Sequence, residues 1–210
     1  MAVTTPTKTP SSRKPALTRD RDVRAAVRRK VLADHIADPA VLVLDELGLE
    51  HGACRVDIAV INGSIHGYEL KSDADTLARL PQQIEIYSRA LDRATLVVGE
   101  RHLDAAKRLL PDWWGIKVTS TGVRGAVYVE SERSAVSNPG VSPFHVAHLL
   151  WRNEAVEILA AMDVTKKDLR GSRAELYALL ARLLPLAELR SQVRSTLKQR
   201  SNWRRHSLPL

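Results

Sequence analysis

The chain has 210 residues, 44% of them hydrophobic, and 32 Lys/Arg against 24 Asp/Glu give it a formal net charge of +8. That is enough apolar material for one ordinary core, which excludes a wholly disordered or fibrous chain, and no stretch reaches the apolar length of a membrane span. A single cysteine, Cys54, excludes an intramolecular disulfide, and without an apolar leader region at the start the composition predicts a cytoplasmic protein with no membrane partner.

Residues 1–18 are Thr, Ser, Pro and Lys with little to bury, so they read as a disordered tail. Over residues 19–36, Val23, Ala26, Val27, Val31 and Leu32 keep helical spacing, and Pro39 ends the run. Arg24, Arg28 and Arg29 fall off that apolar stripe, where they meet water or phosphate, with water favoured. A short strand follows at residues 41–44. Residues 55–61 (RVDIAVI) and 65–71 (IHGYELK) are rich in Val and Ile and are split by Asn62-Gly63-Ser64, the pattern of an antiparallel hairpin. Pro81 sits best in a first helical turn, so a helix starts near it and ends near Leu91, burying Leu80, Ile84 and Leu91.

Residues 95–98 read as a buried central strand and 103–110 as a helix. Trp113 and Trp114 are expected to anchor that helix to a strand at 116–118, and residues 126–129 form an edge strand. Residues 134–143, with Asn138-Pro139-Gly140, have the composition of a linker. Beyond it, 144–161, 172–184 and 186–199 are amphipathic helices. Their apolar residues, including Leu149, Leu150, Val156 and Leu159, serve either a core or the surface for a protein partner or second copy. His145 and His148 lack a Cys or acidic cluster beside them and read as packing or surface residues. The organisation is thus a tail (1–18), an α/β core (19–133), a linker (134–143) and a helical C-terminal region (144–210).

The hairpin carries the chemistry, and its register decides what that chemistry is. A two-residue turn at Asn62-Gly63 sets Asp57 against Tyr68 and sends Glu69 to the other face. A three-residue loop pairs Ile61 with Ile65 and puts Asp57 opposite Glu69, roughly 5 Å apart at Cβ, with Lys71 next on the same face and Val56, Ile58 and Val60 turned to the opposite side. Two facing carboxylates need neutralising. A divalent cation held by Asp57, Glu69 and the Leu70 carbonyl would do it, as a hard oxygen site suited to Mg²⁺ or Mn²⁺, with Lys71 beside a metal-bound water. A salt bridge from Lys71 to the two acids does it equally well.

Asp57, eleven residues, then Glu69-Leu70-Lys71 resembles the PD-(D/E)XK nuclease superfamily, in particular its small stand-alone bacterial members of unassigned role. The resemblance implies a restriction-endonuclease-like core of a helix, a three-strand meander, a helix and a strand. It implies a Mg²⁺- or Mn²⁺-dependent nuclease with Asp57, Glu69 and Lys71 catalytic and Glu46 as the early acid, Asp45 being its rival. Gln83 and Tyr87, four apart on one helical face, match residues that some subfamilies place after the lysine strand, and Arg79 near them would contact a phosphate or else pair with Asp75 or Asp73. Val56 stands where the motif's name has proline.

Charge supports a nucleic-acid partner. Residues 1–40 carry +5, residues 41–140 carry −3 and residues 141–210 carry +6, so basic arms flank an acidic middle. The expected partner is DNA before RNA, with the basic run 198–205 and its Trp203 as a candidate clamp. The alternative is a non-catalytic nucleic-acid-binding or adaptor protein. No G-x-x-x-x-G-K-[ST] loop is present, so nucleotide hydrolysis is not indicated.

Overall fold

The structure, a computed structural model, describes residues 17–122 and 124–200. The expected tail up to residue 16 and the basic end from 201, Trp203 included, lie outside the described residues. Helices α1 (Asp20–Lys30) and α2 (Ala33–Ala37) lead into strands β1 (Leu42–Leu49), β2 (Cys54–Asn62) and β3 (Ser64–Lys71). Then come α3 (Leu80–Ala90), β4 (Arg93–Gly99), α4 (Leu103–Leu109), β5 (Gly115–Thr121) and β6 (Val127–Arg133). The C-terminal helices are α5 (Pro143–Ala147), α6 (Arg152–Ala160), α7 (Arg173–Leu183) and α8 (Leu186–Gln199).

The six strands form one mixed sheet in chain order. β1, β2 and β3 are antiparallel, β4 and β5 run parallel to β3, and β6 returns antiparallel on β5. The parallel steps follow from the helices, since α3 and α4 each carry the chain back across a sheet face. The architecture is therefore α/β, with strands at every position expected and longer than the apolar runs alone suggest.

Two apolar layers sandwich the sheet. On one side Val23 and Val27 of α1, with Leu32, cover Ile58, Val60, Tyr68, Leu70 and Val97. On the other side a larger cluster joins sheet residues such as Ile61, Ile65, Leu96 and Val98 to Leu80 and Tyr87 of α3, and runs on through Leu149, Leu159, Leu176, Leu180, Val193 and Leu197. Each of these side chains contributes roughly 1.5–3 kcal/mol by leaving water. The C-terminal helices spend their apolar faces on the core they share with the sheet, which answers the choice between core and partner surface for Leu149, Leu150 and Leu159. The sheet permits close approach at Gly67, where an added Cβ would stand 2.6 Å from a Leu91 methyl carbon.

The single helix expected over 144–161 is broken. Leu149 and Leu150 donate to Val146 and Ala147 in tight turns, Trp151 is extended, and its N–H is taken at 2.7 Å by the Glu154 carboxylate, which starts α6 afresh. Residues 134–143 are laced down rather than loose. Asn138 is buried, its side-chain amide donates to the carbonyls of Ser88 and Leu91 at 2.8 Å, and Val136 and Ser142 donate to Trp113 and Arg89. Thr18, placed in the tail by its composition, is likewise buried and exchanges hydrogen bonds with Asp73.

Among the described residues no helix is long and apolar enough to cross a membrane.

Candidate functional site

The hairpin takes the register in which Ile61 pairs with Ile65 and Ile58 with Tyr68. Gly63 makes this possible, with φ at 63° between Asn62 and Ser64. The ladder stops at Ile58. Continuing it by one residue would bring Asp57 against Glu69, but here the side chain of Asp57 takes over the pairing, and its Oδ2 accepts the Leu70 N–H at 2.8 Å. Side-chain alternation slips at the same level in β1 and β2. Asp45 pairs with Ile58 and Leu47 with Val56, and the step between them holds Glu46, whose φ is 56°. Leu42 and Leu44 before the slip, and Leu47 and Leu49 after it, all enter the larger cluster. Val56 joins them there, which corrects its expected place beside Ile58 and Val60 on the α1 side; the reason is the broken alternation at Asp57.

This slip opens a cleft of about 570 Å³ that Asp57, Glu69, Lys71, Glu46, Arg79 and Gln83 help to line. Glu69 is 1% exposed and Lys71 5%. The Lys71 ammonium donates to Glu69 Oε1 at 2.6 Å, Gln83 Nε2 donates to the same oxygen at 2.6 Å, and the Tyr87 hydroxyl donates to Oε2 at 2.5 Å. Tyr87 also lies 3.0 Å from the Arg55 carbonyl, but its one proton goes to the carboxylate, the stronger acceptor. Burial, then the charge of Glu69, hold the Tyr87 phenol well above its ordinary pKa, so it stays a donor. Gln83 and Tyr87 thus face Glu69 and serve it.

Asp57 is met from α1. Arg24 donates to its carbonyl at 3.0 Å and to its Oδ1 at 3.1 Å, and lies 3.5–3.6 Å from carboxylate oxygens of Asp20, Asp45 and Glu46. Burial works to lower the pKa of Arg24, but these four carboxylates outweigh it and keep it above its ordinary value. Burial, with the charge of Glu69, pushes Asp57 up to about 6 against the pull of the Leu70 N–H, Arg24 and Lys71. Arg28 pairs with Asp45. Arg24 and Arg28 therefore face the acids and not water, as their spacing alone had suggested. The signal available was their position, four apart, each one residue after a buried valine.

Glu46 lies at the rim with its side chain half exposed, and Arg79 is exposed there. The carboxylates that might have held Arg79 are occupied elsewhere, Asp75 by Ser72 and Asp73 by Thr18. Trp114 is fully buried and stacked on Tyr87 at 5.5 Å, a structural role, and Cys54 is a half-buried free thiol raised to about 11 by burial.

The donor set does not fit Mg²⁺ or Mn²⁺ as arranged. Hard cations take carboxylate oxygens as direct ligands, and a lysine or arginine held on the same oxygen competes for it. Here both oxygens of Glu69 and both of Asp57 already accept hydrogen bonds from the protein. Among the described residues no group of three or more His, Cys, Asp or Glu side chains is gathered as a metal would require.

A family model described as bacteriophage P4 protein cII matches residues 14–208. Protein cII of Enterobacteria phage P4 is 24% identical over 185 residues, covering 88% of this chain and 68% of the phage protein. No solved structure matches. The matched family overturns the resemblance to the PD-(D/E)XK nucleases, and with it the reading of the chain as a nuclease, a hydrolase or a metal-binding enzyme. The spacing that carried the resemblance lies here in a hairpin whose two acids accept hydrogen bonds from Lys71, Gln83, Tyr87, Arg24 and the Leu70 N–H. With the family match running over nearly its whole length, the chain belongs to the bacteriophage P4 protein cII family.

Proposed function

We propose that this protein binds nucleic acid without cleaving it, and that the Asp57–Glu69–Lys71 constellation is a brace holding α1, α3 and the hairpin together. The observation that carries the reading is the occupancy of the two carboxylates, every oxygen of which accepts a hydrogen bond from a protein donor. Such a charge network is held together by its own partners, three donors on Glu69 and two on the side chain of Asp57. The net charge of +8, concentrated toward both ends of the chain, supports a polyanionic partner, with DNA the one expected. The match to a phage protein family sits with a nucleic-acid-binding or adaptor role better than with hydrolysis.

Fluorescence anisotropy with a labelled DNA duplex, at several salt concentrations and with or without millimolar Mg²⁺, tests the reading. Salt-sensitive binding is expected, with intact DNA recovered and Glu69→Gln binding as tightly as the wild type where it folds. Cleavage that disappears in Lys71→Ala would overturn it, as would the absence of binding at low salt.

A further inference from the structure

On the opposite side of the hairpin from the braced acids, the turn, the start of β4 and α8 enclose a polar groove of about 550 Å³. Its floor is the turn, where Asn62 is exposed, Ser64 is half buried, and nothing lies within 4 Å of the place a Gly63 Cβ would occupy. Its walls carry Arg93, Arg190 and Arg194, against one carboxylate, Asp92.

Asp92 is itself committed. Its Oδ2 accepts the Ile65 N–H at 2.7 Å and its Oδ1 lies 2.8 Å from Arg190 Nε, a contact of charge rather than a directed hydrogen bond. That contact fixes the guanidinium by one edge, leaving its terminal nitrogens to other acceptors. Arg93 gives one terminal nitrogen to the Ala135 carbonyl at 3.2 Å. Among the described residues neither Arg93 nor Arg194 meets a carboxylate. Arg190 and Arg194 stand four apart on α8 and share this wall, while Lys198, one turn further on, donates to the Ala40 carbonyl at 2.7 Å outside the groove.

We infer that this groove holds the phosphodiester backbone of DNA, with Arg93, Arg190 and Arg194 contacting phosphates and Asn62 and Ser64 adding hydrogen bonds at the turn. Arginine forks match phosphate oxygens in pairs, and small polar side chains at a turn are ordinary phosphate partners. The contacts would set position and affinity and read no sequence. The inference rests on the nucleic-acid reading above and adds where the strand lies.

The test uses the full chain and a labelled 20-base-pair duplex of arbitrary sequence, the binding constant being followed against salt. Arg93→Gln with Arg194→Gln, both partly or fully exposed, should leave the melting temperature unchanged and make the salt slope shallower by roughly 2, about 0.9 for each lost phosphate contact. Arg79→Gln, at the braced cleft, should leave the slope as it is, and Arg194→Glu alone should weaken binding more than Arg194→Gln. A double variant that binds with the wild-type slope overturns the groove while leaving nucleic-acid binding intact. A wild type that binds no duplex, or that binds a poly-aspartate peptide in its place, overturns both.

Discussion

Tyr87 and Glu69, 18 positions apart in the chain, are joined by one hydrogen bond in which the phenol donates to a carboxylate oxygen at 2.5 Å in a buried setting. Removing that donor leaves a buried charged acceptor short of a partner. Tyr87→Phe should therefore destabilise the fold by about 1–3 kcal/mol, the scale of an unsatisfied buried acceptor, while keeping the ring's stack on Trp114. Urea midpoints of the two proteins, at equal denaturant slope, measure it; a difference within error would mean that water replaces the hydroxyl without cost.

Among the described residues Arg24 is the one cation that reaches Asp57 from the helix side while also facing Asp20, Asp45 and Glu46. Replacing it by Gln should cost about 1–3 kcal/mol, less than a fully buried pair would, because its side chain keeps some contact with water. Asp57, already raised to about 6, should titrate higher still. Carboxyl resonances followed by NMR across the acid range test this, and an unmoved Asp57 would break the proposed brace.

His66 gives a pH dependence of definite sign. Its ring lies against Tyr68 with centroids 4.4 Å apart, Nε2 is 2.8 Å from Thr95 Oγ1, and burial, followed by the charge of Arg93, lowers its pKa from 6.5 to about 4. Between about pH 4 and 6.5 the unfolded chain binds a proton at this ring that the folded chain does not, so the contribution to stability falls as pH falls through that window. Wild type and His66→Gln should diverge in unfolding free energy as pH rises from about 4 to 6.5 and run parallel above it. Parallel curves throughout would mean that the ring titrates alike in both states.

Arg200 closes the described chain with a bidentate pair to Glu154, both bonds 2.6 Å, a third bond to the Leu149 carbonyl at 2.8 Å, and its guanidinium 4.2 Å from the Trp151 ring centroid. Both partners are under 9% exposed. Arg200→Ala should cost about 3–5 kcal/mol, since it strands a buried carboxylate. Thermal denaturation of the wild type and the variant measures it, and an unchanged melting temperature would mean that Glu154 is satisfied without Arg200.

Elements whose evidence is local were legible. The α8 helix follows from Leu186, Leu189, Val193 and Leu197 at spacings of three and four, and the hairpin register follows from a turn that sets Ile61 against Ile65. Asp57, Glu69 and Lys71 line one cleft, and Gln83 and Tyr87, which only the resemblance had pointed to, bond to Glu69. What they do together was not legible, because it depends on which donors arrive from elsewhere. Arg24 reaches Asp57 across 33 positions, and its place one residue after buried Val23 sets which way it faces without saying which strand acid it meets. Arg200 reads as part of a basic clamp until Glu154, 46 positions away, is found against it. The break before α6 was hidden in the same way, since 144–161 is apolar enough for one helix and only the bond from Trp151 to Glu154 ends the turn.

The phase slip at Glu46 has a consequence for how this segment tolerates change. A strand that keeps strict alternation can exchange most side chains without altering which way its neighbours face. In β1 the inward direction of Leu47 and Leu49 depends on one left-handed backbone step at Glu46. Deleting that single codon would leave Leu42, Leu44, Leu47 and Leu49 on one face of an even pleat but slide the last two one residue along β2, from Val56 and Cys54 to Asp57 and Arg55, and so break the register at the bend. Exchanging Glu46 for glycine would instead relieve a residue held at φ 56° at little expense in packing, since its side chain stands at the rim. The length of this strand is thus under tighter constraint than the identity of the residue at its bend.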